Sequence, residues 1–74
     1  MTEKEFVIKM QYLLQSKQAM TLDTALVQIT AYDSLSRLVL MAYLNDDFGI
    51  KITAQELHAM TLLNDIFTLI CNAT

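Results

Sequence analysis

The chain has 74 residues, of which 54% are hydrophobic, with no proline, one glycine and a formal net charge of −3. This length supports one hydrophobic core, so residues 1–74 are predicted to form a single domain. The acidic balance and the lack of a basic stripe argue against nucleic-acid binding. No apolar run is long enough to cross a membrane, and the opening MTEKEFVIK has no apolar signal segment, so we expect a cytoplasmic monomer without membrane insertion.

The N-terminal part of the chain is predicted to hold one helix and a long loop. The spacing of Thr2 and Glu5 is typical of a capping box and starts a helix over residues 3–16. Its apolar face comprises Phe6, Met10, Leu13 and Leu14. From residue 17 to 32 the apolar residues are scattered between polar breaks at Thr21, Asp23 and Thr30, which indicates a long, partly packed loop with a turn over residues 23–27.

Capping signals divide the second half of the chain into three further helices. Asp33 is a good N-cap for a helix that continues to about Phe48, and Gly49 is suited to end it. A second capping box, Thr53 and Glu56, predicts a short helix over residues 54–59. Thr61 is predicted to cap a last helix over residues 62–71. Its inward face would comprise Leu62, Ile66, Leu69 and Ile70. Because strict alternation is missing, the predicted fold class is all-α, a four-helix bundle with three longer helices and one short one.

The helix after Asp33 is apolar on two opposite sides. At 100° per residue, one side carries Leu40, Leu44 and Phe48 with Met41 beside them, which predicts a core stripe. The other side carries Leu35, Leu38, Val39 and Ala42. A bundle of this size cannot bury both sides, so the second side is either covered by the long loop or left open for a partner protein.

Asp33 and Ser34 allow two compatible interpretations. The pair could serve only to cap the helix. Alternatively, Asp33 caps the helix while Ser34 carries a phosphate ester, which the N–H groups and positive dipole end of a helix N-terminus would favour.

The region from residue 32 to 70 resembles an acyl carrier protein. The similarity lies in DSL at a helix start, a phenylalanine fourteen residues after the serine, FGIKI, a short helix and MTLLNDIFTLI. The resemblance implies an acyl-carrier-like bundle whose core includes Leu40, Leu44, Phe48, Ile52 and Ile66. It also implies that Ser34 is the attachment site of 4'-phosphopantetheine, with Asp33 beside it, and that the arm's thiol holds an acyl or aminoacyl group as a thioester.

The same resemblance implies a non-catalytic protein that is visited by enzymes. The expected partners are a phosphopantetheinyl transferase, an acyl- or aminoacyl-loading enzyme, and a downstream synthase or transferase. The expected contact residues are Leu35, Leu38, Val39, Ala42 and Asp46. Met41, Leu57 and Met60 are candidates for lining a space for the acyl tail.

The chain departs from the fatty-acid members of that family at several positions. Ala31 stands where those members often have glycine, and the acidic positions of their second helix read Val39, Asn45, Asp46 and Asp47, with Arg37 adding a positive charge. These departures favour a stand-alone carrier that is dedicated to one pathway.

Other interpretations concern the apolar surface, His58 and Cys71. A helical interaction module without a prosthetic group would explain the apolar surface but gives no role to Ser34. A metal site or a hydrolase would need His58, the only histidine, but neither ligand spacing nor a nucleophile motif is present, so we expect His58 to be solvated. Cys71, the only cysteine, cannot form an internal disulfide and is predicted to fill the core near the C-terminus.

Overall fold

The computed structural model of the protein describes residues 1–29 and 32–73. The sequence observations at Thr30 and Ala31 therefore lie outside the described residues. The elements in chain order are α1 (Glu3–Leu13), a short 3-10 helix (Leu26–Gln28), α2 (Ser34–Phe48), α3 (Ala54–His58) and α4 (Leu63–Ala73). Over the described ranges there is no β-strand, and the one isolated bridge joins Ala25 to Leu62. The predicted all-α bundle with three longer helices and one short helix is confirmed.

The predicted helix caps are present at both capping boxes. At the start of α1, the Thr2 N–H donates to Glu5 Oε1 at 3.0 Å and the Glu5 N–H donates to Thr2 Oγ1 at 3.2 Å. At α3, Thr53 and Glu56 make the same reciprocal pair, with both distances at 3.1 Å. Each pair satisfies two N–H groups that the first helical turn leaves unpaired, which fixes where the helix begins.

Helix α1 ends earlier than the apolar pattern predicts. Its C-cap is Leu14, and Gln15 follows with a φ of 51°, in the left-handed region. A left-handed residue cannot continue a right-handed helix, so the chain turns away at this point. The prediction of helix to residue 16 was therefore wrong.

Helix α4 begins one residue later than predicted, and Asp65 explains the difference. The Asp65 carboxylate accepts hydrogen bonds from the Thr61 N–H at 2.9 Å, the Thr61 hydroxyl at 3.2 Å and the Leu62 N–H at 3.0 Å. Thr61 is thus a donor to Asp65 and does not cap the helix with its own oxygen. The inward face of α4 is correspondingly Leu63, Ile66 and Ile70, whereas Leu62 and Leu69 are half-buried.

The core lies between the four helices and the long loop. Its buried hydrophobic residues are Phe6, Met10, Leu14, Met20, Leu26, Ile29, Leu40, Tyr43, Leu44, Leu57, Leu63, Ile66 and Ile70. Phe48 and Ile52 are half-buried and pack against this core, and Leu13 does the same. Cys71 is exposed, so its prediction as a core residue was wrong. It lies one position after the buried Ile70, and one position turns the side chain about 100° round the helix.

The described part of the long loop packs against α4 and does not cover the second apolar side of α2. Three backbone hydrogen bonds tie it to the start of α4: Leu26 N–H to Thr61 O at 2.8 Å, Leu63 N–H to Thr24 O at 3.0 Å, and Asn64 N–H to Leu22 O at 2.9 Å. Leu35 and Leu38 remain 70% and 59% exposed. Of the two possibilities that the sequence left open for this side, the structure therefore has the open surface.

Candidate functional site

The start of α2 is organised by Asp33, as the sequence predicts. Asp33 has extended backbone, with φ −134° and ψ −171°, and its Oδ1 accepts hydrogen bonds from the Ser36 N–H at 2.9 Å and the Ser36 hydroxyl at 3.0 Å. These bonds, the backbone one above all, hold the pKa of the Asp33 carboxyl below its ordinary value of 3.8. The carboxylate is therefore ionised at neutral pH and is directed at Ser36.

Ser34 is the first residue of α2, and its side chain is exposed. The Ser34 hydroxyl oxygen accepts a hydrogen bond from Arg37 Nη2 at 3.2 Å. This contact uses a lone pair of the oxygen and leaves the hydroxyl proton available for donation or removal. An incoming molecule can therefore reach the Ser34 oxygen, and a cation already lies beside it.

Arg37 is held against the ring of Tyr32. The guanidinium carbon lies 5.5 Å from the ring centroid, within the range of a cation–π contact, and both side chains are half-buried. Burial raises the pKa of the Tyr32 phenol, and the charge of Arg37 opposes this rise. No hydrogen bond of acceptable geometry reaches the Tyr32 hydroxyl from the described residues, so Arg37 acts on this phenol chiefly through its charge.

Sequence reasoning missed this arrangement of Tyr32, Ser34 and Arg37. It treated Arg37 as a positive charge among the partner-facing positions, whereas the structure places it half-buried against Ser34 and Tyr32. The signal was present in the spacing, because residues three apart on a helix are neighbours.

The five residues predicted to contact partner enzymes form one exposed stripe on α2. These residues are Leu35, Leu38, Val39, Ala42 and Asp46, and every one of them is exposed. At 100° per residue they fall within an arc of about 100° on the helix surface. We call this set the exposed stripe. It begins next to Ser34 and continues along α2 to its last turns.

Shallow depressions adjoin α2. One of about 130 Å³ lies beside the exposed stripe, between the end of α1 and the start of α2, and is lined by Leu13, Leu14, Gln15, Leu35, Ser36 and Val39. Another of about 340 Å³ is lined in part by Met41, Ile50 and Ile52. Of the three residues predicted to adjoin an acyl tail, Leu57 is fully buried and Met41 and Met60 are half-buried against the core.

The described part of the chain also bears on metal binding, on His58 and on membrane-spanning helices. Residues 1–29 and 32–73 contain no group of three or more His, Cys, Asp or Glu side chains placed to hold a metal ion. His58 is exposed at the end of α3, as predicted. None of the helices in these ranges has the length and apolar character needed to cross a bilayer.

Comparison with known proteins finds similarity at the level of structure. No family model matches the sequence, and no curated protein matches it either. Among solved structures, that of a candidate acyl carrier protein from Mycobacterium tuberculosis superposes with a TM-score of 0.77 at 24% sequence identity. The superposition covers 97% of this chain and 97% of that chain. The protein therefore has the fold of an acyl carrier protein.

Proposed function

We propose that this protein is a carrier that holds an acyl or aminoacyl group as a thioester on a 4'-phosphopantetheine arm attached to Ser34. The observation that carries the proposal is an exposed serine at the first position of α2, in a fold shared with a candidate acyl carrier protein. When bound, the arm supplies a thiol, which forms the thioester with the cargo. We expect residues 1–74 to act as one monomeric domain in the cytoplasm.

The residues around Ser34 fit a phosphodiester. That group carries one negative charge, and the N-terminal end of a helix presents N–H groups and a positive dipole end to it. Arg37 Nη2, 3.2 Å from the Ser34 hydroxyl oxygen, adds a full positive charge at the same place. The Asp33 carboxylate accepts its hydrogen bonds from Ser36, so Asp33 caps the helix without engaging the Ser34 oxygen.

Attachment would use Ser34 as the nucleophile and a separate magnesium-dependent transferase as the catalyst. The Ser34 oxygen attacks the coenzyme A phosphorus that bears the pantetheine, forming a new oxygen–phosphorus bond. The phosphoanhydride bond breaks, and 3',5'-adenosine bisphosphate leaves with the bonding electrons. The Ser34 proton passes to a base of the transferase. The role of this chain is to present an exposed, correctly placed hydroxyl, and it catalyses no step itself.

The exposed stripe is suited to hold enzymes next to Ser34. Leu35 and Leu38 present large apolar side chains that an enzyme could bury, which is the usual source of affinity in a contact surface. Asp46 adds a negative charge for an enzyme with a basic rim. The transferase, the loading enzyme and the downstream synthase or transferase would use this surface in turn. Tethering raises the effective concentration of the cargo in each active site.

Intact-mass spectrometry after incubation with coenzyme A and a broad-specificity phosphopantetheinyl transferase tests the proposal. Wild-type protein should gain the mass of one phosphopantetheinyl group, and Ser34→Ala should gain none. Ser36→Ala is the matched control and should still be modified, because it keeps Ser34. The Ser36 hydroxyl is hydrogen-bonded to Asp33 and is not the proposed attachment site. The reaction must contain a reducing agent, since the exposed Cys71 could otherwise form a mixed disulfide with coenzyme A.

One result would contradict the carrier function, and another would contradict Ser34 as its site. Unmodified wild-type protein would rule out the attachment, and modification of Ser34→Ala would place it at another residue. The alternative, an interaction module without a prosthetic group, predicts that unmodified protein binds its partner tightly through the exposed stripe. It also predicts that Ser34→Ala leaves that binding unchanged.

A further inference from the structure

Arg37 is a cation that a carrier function does not by itself require. It is the only arginine in the chain and the only basic residue in α2. We propose that Arg37 binds the phosphate of the arm on Ser34 and holds it on the side of α2 that faces away from the exposed stripe. This inference rests on the proposed function, since it requires a phosphodiester at Ser34.

The existing contact places the guanidinium within reach of such a phosphate. Arg37 Nη2 is 3.2 Å from the Ser34 oxygen, the atom to which phosphorus would be bonded. The non-bridging oxygens of the phosphate lie one atom further out, around the same point. A hydrogen bond from arginine to an anionic phosphate oxygen is shorter and stronger than one to a neutral hydroxyl. Modification therefore converts a contact between a cation and a neutral hydroxyl into a contact between opposite charges.

The surroundings of Arg37 keep it in this position. The Tyr32 ring, 5.5 Å from the guanidinium carbon, gives the planar group a surface to lie against. Arg37 is half-buried, so its charge is less screened by solvent than that of a fully exposed side chain. The neighbouring Asp33 carboxylate would repel a phosphate, and Arg37 is the one cation of α2 that can offset both negative charges.

The direction of this contact has a consequence for partner enzymes. Arg37 comes two residues after Leu35, and each residue turns the helix by about 100°, so the two side chains lie about 200° apart round the helix. A phosphate paired with Arg37 is thus drawn toward Tyr32, and the apolar side chains of the exposed stripe stay uncovered. An enzyme could then contact Leu35 and Leu38 without displacing the base of the arm.

A thermal-unfolding cycle tests the pairing. The melting temperature is measured for the unloaded and the phosphopantetheinylated forms of wild type, Arg37→Met, Arg37→Lys and Lys51→Met. On loading, the melting temperature should rise more, or fall less, in wild type than in Arg37→Met. The difference should be about 2–5 °C, the range expected for a partly exposed ion pair in a domain of this size. Arg37→Lys should recover part of this difference, and 1 M salt should reduce it.

Lys51→Met is the matched control for the loss of one positive charge. Lys51 is exposed and follows the C-terminal end of α2, roughly 20 Å of helix away from Ser34. The change in melting temperature on loading should be the same in Lys51→Met as in wild type. An equal shift in wild type and Arg37→Met would overturn the proposal, and so would an equal effect of the two methionine substitutions.

A second measurement uses wild-type protein alone and decides the question if Arg37→Met cannot be loaded. NMR signals of the Arg37 guanidinium should move on loading, and its N–H exchange with water should slow. Unchanged signals in protein shown by mass to carry the group would overturn the inference and leave the carrier function intact. Failure of wild type to gain the group is a different result, which would overturn the proposed function itself.

Discussion

The two sides of α2 use the same residue types in opposite ways. On one side, Leu35 and Leu38 are 70% and 59% exposed, whereas on the other side Leu40 and Leu44 are fully buried. The exposed side begins next to Ser34, and the buried side packs against the bundle. The difference teaches that leucines on one side of this helix stabilise the fold, whereas those on the other side are left available for the proposed recognition by partner enzymes.

The packing of the buried side of α2 should dominate the stability of the protein. Leu44→Ala should lower the free energy of unfolding by about 2–5 kcal/mol, because it leaves a cavity in a fully buried site. A domain of this length has a total stability of about 4–11 kcal/mol, so the loss is a large fraction of it. Urea unfolding followed by circular dichroism measures the change. A loss below about 1 kcal/mol would contradict the burial of Leu44.

The C-terminal end of α2 depends on a left-handed glycine. Gly49 has a φ of 67°, and a Cβ added there would meet no atom within 4 Å. Gly49→Ala should therefore cost only the backbone strain, about 1–2 kcal/mol, without a steric clash. Gly49→Asn should cost less, because asparagine tolerates this conformation better. The same urea experiment compares the free energy of unfolding of the two variants. An equal loss in both, or a larger loss in Gly49→Asn, would contradict the explanation.

Acid should act on the start of α2, through Asp33. The pKa of Asp33 is lowered from its ordinary value of 3.8 by hydrogen bonds from Ser36. Its contribution to stability is thus fully present above that value and is lost as pH falls through the lower pKa of the folded state. The melting temperature should fall on acidification below about pH 4, and less steeply in Asp33→Asn.

Asp65→Asn extends the acid experiment to the start of α4. Hydrogen bonds from the Leu62 and Thr61 N–H groups lower the pKa of Asp65 in the same way. Its replacement should remove a further part of the acid sensitivity, because the amide cannot be protonated in this pH range. If the melting temperature falls as steeply with acid in both variants as in wild type, other carboxyl groups are responsible for the acid sensitivity.

The smallest effect on stability is expected in the exposed stripe. Leu38→Ala should change the free energy of unfolding by less than about 0.5 kcal/mol, because its side chain already faces solvent. It should nevertheless lower kcat/KM for modification by the transferase by about 5- to 10-fold, the effect of losing a central apolar contact. Unchanged kcat/KM would exclude Leu38 from the contact surface, and large destabilisation would contradict the separation of the two sides of α2.

Local chemistry made much of the fold predictable from the sequence. Capping boxes depend on residues three apart, so Thr2–Glu5 and Thr53–Glu56 marked the starts of α1 and α3 correctly. Asp33 and Gly49 marked both ends of α2 for similar reasons. The exposed position of Ser34 followed from its place directly after the cap. The two apolar sides of α2 followed from helical periodicity, although the sequence could not show whether the long loop covers one of them.

Contacts between elements were harder to predict. Tyr43 is buried, and the centre of its ring lies 5.6 Å from Lys9 Nζ of α1. This contact depends on how α1 crosses α2. The register of α4 depends on Asp65 reaching back to the residues before the helix. Cys71 was misplaced because its exposure depends on that register. A single sequence shows the period of a helix more reliably than the side from which a neighbour approaches.

The central claim is that Ser34, and no other serine, carries the phosphopantetheine arm. The chain has three serines, Ser16, Ser34 and Ser36, and trypsin cleavage after Lys17 and Arg37 releases residues 18–37 as one peptide that contains the last two. Tandem mass spectrometry of the loaded, reduced protein can therefore assign the modified residue from fragment ions that separate Ser34 from Ser36. We predict that the added group lies on Ser34 alone. A group on Ser36 or Ser16, or an unmodified 18–37 peptide, would contradict the account.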